Sequence, residues 1–428
     1  MVRYRAYLAV VLVLGLTSIG TAAPVDLGVA RDALDFLRNR HYYPNLDMPA
    51  IIRAGVPGLR RALERQGIPA RALADIPSGA NEAAALAAFG ERLAQATQLA
   101  AGRLSEQELL HAGLRAMFRS VGGGTAFLTP RELAVTQALN RGAIAGTGVR
   151  LLEINGRWTI TGVAPGGPAD RAGLRRGDVV VRVGREDVTG LTLFQLRTLL
   201  LGDSGTSVQV TVRRGTQEMT RSVVRGSAAF PVVEHRMLSD RIGYLKIYRY
   251  PGGGDSSLRT AAMALAAGQP RGLIVDLRDA DLRDAGEDMH LEQLDSINLF
   301  FPSGTVVVQE VRRDGYGIPK PRATSGPPIL TGLRTVVLIG PGTWGAGEIG
   351  AAAFKEHANA TLVGHRTPGL LELFTTDSLR DGSLVWIADG RLLTGKGVAL
   401  NGRGLTPDVE AADDQALDRA IQAVKQGR

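Results

Sequence analysis

The segment Val336-Val337-Leu338-Ile339-Gly340-Pro341-Gly342-Thr343-Trp344-Gly345-Ala346-Gly347-Glu348-Ile349 is where this chain could most readily do chemistry. An apolar, β-branched run ends in a tight glycine turn, and a helix opens at Glu348, so turn side chains would sit at the mouth of a buried strand. Thr343 supplies a hydroxyl. To attack a carbonyl it would need a base within about 3 Å and donors for the oxyanion. Lys355 lies a helical turn or more beyond the turn, and Lys396 falls in a hairpin region. Gly345, three residues before Glu348, contributes no side chain. Glu348 itself suits the first turn of a helix, where a carboxylate meets the positive end of the dipole. The six histidines, His41, His111, His235, His290, His357 and His365, show no close ligand spacing, so no metal is expected. Asp279, Asp281, Asp284, Glu287 and Asp288 lack the spacing of a calcium loop and read as a solvated acidic loop. Cysteine is absent, which excludes thiol catalysis, thiolate metal sites and disulfides.

A second constellation is suited to binding. In Gly146-Thr147-Gly148-Val149, successive backbone N–H groups can form a nest for a peptide carboxylate, and the adjacent strand edge can accept an extended peptide. Gly148 leaves room where the carboxylate must approach. Further on, Ala172-Gly173-Leu174 and Gly177-Asp178-Val179 fit a helix end and the entry to the next strand. Together with Val163-Ala164-Pro165-Gly166-Gly167-Pro168-Ala169, these residues resemble a PDZ domain of the bacterial permuted type.

A wider set of segments resembles the carboxy-terminal processing peptidases, or tail-specific proteases, over roughly residues 105–410. Met117-Phe118-Arg119-Ser120-Val121 and Ala126-Phe127-Leu128-Thr129-Pro130-Arg131-Glu132 are similar to the stretch before the PDZ domain. Ile242-Gly243-Tyr244-Leu245 and Gly272-Leu273-Ile274-Val275-Asp276-Leu277-Arg278 are similar to core strands. Leu379-Arg380-Asp381-Gly382-Ser383 and Gly402-Arg403-Gly404-Leu405-Thr406-Pro407-Asp408-Val409 are similar to the closing motifs. The resemblance implies a serine nucleophile at position 345, a lysine base at 370 and a supporting glutamine at 374. The residues present are Gly345, Leu370 and Phe374. The turn that would help form the oxyanion hole is Asp279-Ala280-Asp281-Leu282-Arg283, and acidic groups there would oppose a developing negative charge.

These sites must be positioned by a chain of 428 residues, long enough for two or three domains with separate cores. Arg3 and Arg5, an apolar run from Tyr7 to Ile19 and small residues up to Ala23 have the order of a secretory signal peptide, or of an uncleaved anchor. Residues 1–23 are therefore expected to direct export to a periplasmic or extracellular location. Residues 24–140 read as a helical N-terminal domain, with apolar spacing at Val29–Leu37, Met48–Leu63, Ala83–Ala100 and Glu106–Phe118. Residues 141–228 read as the PDZ domain. Asn155-Gly156 marks a hairpin, Thr192–Leu201 a helix, and Val208–Arg213 pairs with Glu218–Val224. Residues 229–428 read as a layered α/β core. Its strands are Ile242–Tyr248, Leu273–Leu277, Val336–Ile339 and Ala360–Gly364, and its helices Ser257–Ala267, Glu292–Phe300 and Glu348–His357. A late hairpin, Ser383–Ala388 with Arg391–Thr394, is expected to turn at Asp389-Gly390.

The fold class is thus a multidomain α/β chain: helical N-terminal domain, β-rich PDZ domain and α/β layered, peptidase-like core. The net charge is +8, but the arginines are dispersed without aromatic interleaving, so nucleic acid is not an expected partner. No cofactor is expected. The expected function is peptide or protein binding by a peptidase-like chain without a Ser/Lys dyad. Its expected partners are polypeptide C-termini or unfolded proteins, or an active relative. Two alternatives stay open: an active serine-type endopeptidase with relocated residues, and a structural envelope protein.

Overall fold

The computed structural model describes residues 26–140, 144–227, 230–249, 256–280, 296–313 and 318–426. The expected signal segment and Asp281, Asp284, Glu287 and Asp288 lie outside the described residues.

The chain begins with helices α1 (Gly28–Arg40), α2 (Met48–Arg53), α3 (Gly55–Arg65), α4 (Glu82–Ala100) and α5 (Glu106–Val121). Local chemistry sets their ends. The Asn81 side chain accepts the Ala84 N–H at the start of α4, and Ser105 and Glu108 form a reciprocal capping box on α5, each cap contributing about 1 kcal/mol. The single helix expected over Met48–Leu63 is two helices that meet at Ala54, whose N–H is shared between the Ala50 and Ile51 carbonyls. Their apolar stripes meet around the fully buried Leu59, Phe89, Leu114 and Phe118. Helix α6 (Pro130–Asn140) leads into the next unit.

That unit contains β2 (Val149–Ile154), β3 (Arg157–Val163), α7 (Pro168–Arg171), β4 (Val179–Val183), β5 (Glu186–Asp187), α8 (Leu193–Leu200), β6 (Ser207–Arg214) and β7 (Gln217–Val224). The sheet order is β2-β3-β4-β6-β7, with β5 paired to β4. Asn155 and Gly156 both have positive φ, 50° and 72°, as a two-residue hairpin of this twist requires. Thr192 and Gln195 cap α8 reciprocally. Asp178, fully buried, is held by the Arg214 guanidinium at 2.7 and 2.8 Å.

The remaining elements are β8 (Val233–Met237), β9 (Ile242–Ile247), α9 (Ser257–Ala267), β10 (Gly272–Asp276), β11 (Val306–Arg312), β12 (Lys320–Ala323), β13 (Arg334–Ile339), α10 (Ala346–Ala358), β14 (Thr361–Gly364), β15 (Glu372–Ser378), β16 (Leu384–Thr394), β17 (Val409–Glu410) and α11 (Ala416–Gln426). A six-stranded sheet runs β17-β14-β13-β10-β9-β8, parallel except for β8. Its strands read as unbroken apolar runs because both faces are covered. Leu273, Val275, Val337 and Ile339 face α9 and α10, while Ile274, Val336 and Leu338 face Ala416 and Ala420 of α11. A second sheet runs β1 (Ala126–Leu128), β16, β11, β12, with β15 also on β16. Through β1, Phe127 joins Val385 and Ile387 in one core with the N-terminal helices.

The expected hairpin at Asp389-Gly390 is not a turn. β16 continues through it, with Leu373 opposite Gly390 and Phe374 opposite Ala388, so Asp389 is a bulge. Its carboxylate accepts two hydrogen bonds from Arg312, at 2.8 and 2.9 Å. Gly390 is required by close approach, since a Cβ there would lie 2.7 Å from the Val311 carbonyl. Of the expected helix Glu292–Phe300, residues 296–299 form a 3₁₀ turn instead of an α-helix.

Candidate functional site

The glycine turn joins the end of β13 to α10, and its conformation explains its composition. Gly345 is the N-cap of α10 with φ 58° and ψ −122°, a combination open mainly to glycine. Its N–H donates to the carbonyl of Leu370 at 3.1 Å, so these two positions are in direct backbone contact. The Trp344 N–H donates to the Ala280 carbonyl at 3.2 Å. Both donors are therefore engaged within the protein, where an oxyanion hole would need them facing a substrate.

Thr343 is fully buried. Its hydroxyl donates to the Leu277 carbonyl at 2.7 Å and accepts the Gly340 N–H at 3.0 Å. It ties the turn to the end of β10 and meets no base among the described residues. Lys355 is bound to Asp408 at 2.6 Å, and Lys396 is exposed. Lys246 on β9 reaches Asp279 at 2.7 Å. Burial works to lower its pKa, but the Asp279 charge overcomes this and keeps it raised, so the amine stays protonated.

Glu348 is fully buried and does more than face the helix dipole. It accepts the Thr367 hydroxyl at 2.5 Å, the Gly369 N–H at 2.8 Å and the Leu370 N–H at 2.8 Å. Burial pushes its pKa up to about 7 against those three donors, with the charge of Glu372 adding to the rise. Glu348 thus holds the loop that carries Leu370 onto the start of α10. Thr367 is a hydroxyl beside a basic carboxylate, but it is buried and also accepts the Leu405 N–H at 2.7 Å, which leaves it no approach for a substrate.

Leu370 is half-buried and Phe374, on β15, is buried. The Phe374 ring lies 5.6 Å from that of Trp386 on β16, and Trp386 lies 6.5 Å from Phe194 on α8. An apolar chain therefore runs from β15 to the helix of the β2–β7 unit.

The turn after β10 departs from the solvated acidic loop expected there. Asp279 is buried, paired with Lys246 and with the Arg176 guanidinium. Arg150 donates to the Asp279 carbonyl and to the Tyr248 carbonyl, the latter at 3.1 Å. Two arginines from the β2–β7 unit therefore neutralise and cover this turn. Beside it, Asp276 accepts from Tyr244 at 2.7 Å and from Arg278 at 2.7 and 3.0 Å. Burial opposes its ionisation, yet the bonds and charge of Arg278 bring its pKa down to about 2. Nothing in the arginines' local sequence marked them as clamps.

In the candidate peptide loop, the Gly146 N–H donates to the Gly226 carbonyl at 3.1 Å and is not free to bind. The Thr147 and Gly148 carbonyls accept from Ala169 and Ala164, each at 2.8 Å. Gly148 has φ 76°, and among the described residues no partner takes the N–H groups of Thr147 and Gly148. Val149 opens β2, which pairs with β3 on one side and forms the edge of its sheet. Among the described residues no group of three His, Cys, Asp or Glu could hold a metal ion.

A sheet-edge unit with a small-residue loop, joined to an α/β layer ending in a strand–turn–helix, defines a PDZ-linked peptidase fold. Residues 159–214 match the PDZ domain model and residues 241–411 match peptidase family S41. The chain thus carries a PDZ domain and an S41 peptidase domain, and the relatives it resembles are carboxy-terminal processing peptidases. It is 27% identical over 319 residues to the chloroplastic C-terminal processing peptidase of Tetradesmus obliquus, covering 70% of this chain and 67% of that one. It is 28% identical over 271 residues to the carboxy-terminal processing protease CtpA of Bacillus subtilis, covering 62% and 56%. The chain spans about half to two thirds of the length of the curated relatives it matches. Its fold matches the photosystem II D1 C-terminal processing protease with a TM-score of 0.61 at 22% identity, over 88% of this chain and 97% of the other. Among the described residues no helix is long and apolar enough to cross a membrane.

Proposed function

We propose that this chain is a non-catalytic member of its family, a pseudo-peptidase that binds polypeptide C-termini or unfolded chains. The observation that carries the reading is the contact between Gly345 and Leu370. The positions that the resemblance assigns to nucleophile and base adjoin, and neither bears a reactive group. The absence of both removes a catalytic unit, not a tuning effect. Phe374 replaces the supporting glutamine with a packed aromatic ring.

Binding would use the PDZ domain. An extended peptide adds to the edge of β2 by main-chain hydrogen bonds, and its terminal carboxylate meets the N–H groups of Thr147, Gly148 and Val149. Export by residues 1–23 would place this activity in the envelope, with unfolded C-termini or an active relative as the partner.

The test is twofold. The purified chain is incubated with an unfolded protein substrate, and its affinity for a peptide acid and the matching amide is measured by calorimetry. No time-dependent cleavage together with acid-selective binding supports the proposal. Cleavage that disappears in Thr343→Ala would instead establish a relocated nucleophile, and absence of peptide binding would remove the binding role.

A further inference from the structure

A cavity of about 520 Å³ lies between α3, α5 and the loop that precedes α8. Its volume is that of a small-ligand site. Its floor is set by the crossing of α3 and α5, where a Cβ on Gly58 would lie 2.4 Å from the Ala112 carbonyl, so two helix backbones meet without side chains between them. Above that floor the walls are cationic. Arg61 and Arg65 stand one helical turn apart on α3, Arg115 and Arg119 one turn apart on α5, and Arg131 enters from α6. Set against five arginines, Glu108 is the one lining carboxylate among the described residues, and it is engaged in the capping box of α5.

The arginines divide into those that hold the structure and those left over. Arg115 pairs with Glu132 at 3.1 Å. Arg119 donates to the Leu191 carbonyl at 2.8 Å and pairs with Glu153. Arg65 donates only to a carbonyl, that of Thr189, at 3.2 Å. Among the described residues Arg61 and Arg131 have no hydrogen-bond or ion-pair partner. Arg61 lies along Gly190 of the PDZ loop, its Cδ 3.7 Å from where a Cβ would stand. Burial of part of its side chain, then the charges of Arg119 and Arg65, lower its pKa, and Glu64 offsets this in part. Arg115 and Arg119 are thus engaged by Glu132 and Glu153, while Arg61, Arg65 and Arg131 keep guanidinium donors free to face the open space.

We propose that this cavity binds a polyvalent oxyanion, a polyphosphate or polycarboxylate group, with Arg61, Arg65 and Arg131 as its ligands. Planar guanidinium groups present paired donors that match oxyanions in bidentate geometry. The ligand would contact both the helical region and the PDZ unit, since Arg61 and Arg65 come from α3 while Gly190, Thr192 and Gln195 also line the cavity. The site is separate from the turn at Gly345 and does not depend on whether that turn is catalytic.

The test uses the purified chain and two probes, inorganic pyrophosphate and citrate, titrated calorimetrically at about 150 mM salt, where exposed charges are screened beyond ~8 Å. Saturable binding is expected, about tenfold or more weaker in the Arg61→Gln/Arg65→Gln variant. An Arg259→Gln/Arg271→Gln variant, which removes the same charge from α9 and the β10 approach, should bind as the parent does. Preference for pyrophosphate identifies a phosphoryl ligand, and equal or better binding of citrate identifies a polycarboxylate. Far-ultraviolet circular dichroism confirms that each variant is folded. Where the double variant is not, Arg131→Gln alone should still weaken binding. Absence of saturable binding by either probe, or unchanged affinity in the folded cavity variants, overturns the assignment.

Discussion

Glu348 gives the site its sharpest test, because its burial and its hydrogen bonds pull in opposite directions. Three donors reach its carboxylate, which favours ionisation, while complete removal from water disfavours it. Burial prevails and the pKa rises from an ordinary 4.5 to about 7. The native state therefore holds this proton more tightly than the unfolded chain does. The stabilisation from that proton is fully present below about pH 4.5 and is lost as pH rises through about 7. At ~1.4 kcal/mol for each pH unit of separation, the swing is about 3 kcal/mol. Substituting Glu348→Gln removes the titration while keeping one oxygen acceptor for the loop. Urea unfolding of parent and variant is measured from pH 4.5 to 8, and the difference in unfolding free energy is followed, so that other titrating groups cancel. The parent's advantage over the variant should shrink by about 3 kcal/mol across that range. A difference that grows with pH would mean that the three donors win, that the carboxylate is held ionised, and that the balance argued for this loop has the wrong sign.

Other outcomes follow from the same geometry. Gly345→Ser alone should give no turnover of an unfolded protein and should lower stability by about 1–2 kcal/mol, since φ 58° disfavours a side chain. Measurable turnover from that single change would reveal a base already in place. Phe374→Ala should cost about 3–5 kcal/mol and red-shift the emission of Trp386, whose ring it packs against. An unchanged melting temperature would show that the ring is not packed. In the PDZ domain, amidating a bound peptide's terminus should weaken it by about 1–3 kcal/mol. Gly148→Val should weaken it too, because φ 76° and the approaching carboxylate both exclude a branched side chain. Calorimetry showing equal affinity for acid and amide would dismiss the carboxylate nest.

What could be read from the sequence was what local chemistry decides. The Asn155-Gly156 turn, the helical spacing of Glu106–Phe118 and Thr192–Leu201, and the apolar runs of β10 and β13 each carry their own signal over a few residues. Gly345 and Leu370 were legible as positions, but not the hydrogen bond between their backbones, which brings together residues far apart in the chain. The features missed share that origin. Asp389-Gly390 has turn composition, yet β15 and β11 pair on either side of it, and two partner strands convert a local turn signal into a bulge. Asp279 has the composition of a solvated loop, and it is buried because Arg176 and Arg150 arrive from another unit. Electrostatic pairing at long range leaves no periodicity behind.

That difference bears on how the turn at Gly345 would persist under the non-catalytic reading proposed above. Had position 345 merely lost its hydroxyl, the surrounding turn would still present free donors to a substrate. Instead the Trp344 and Gly345 N–H groups are bonded internally, Thr343 is turned to Leu277, and Phe374 is packed on Trp386. Each of these contacts holds the turn in its present form, and the two backbone bonds would have to be broken to free those N–H groups for an oxyanion. Restoring Ser and Lys at 345 and 370 together therefore supplies nucleophile and base without the donors that stabilise the transition state. Since loss of one such donor alone lowers turnover by about 10²–10³-fold, the double variant Gly345→Ser/Leu370→Lys should remain at least that far below an active relative assayed on the same unfolded substrate. Turnover matching the relative would show that the turn opens on binding substrate and that its internal bonds do not bar catalysis.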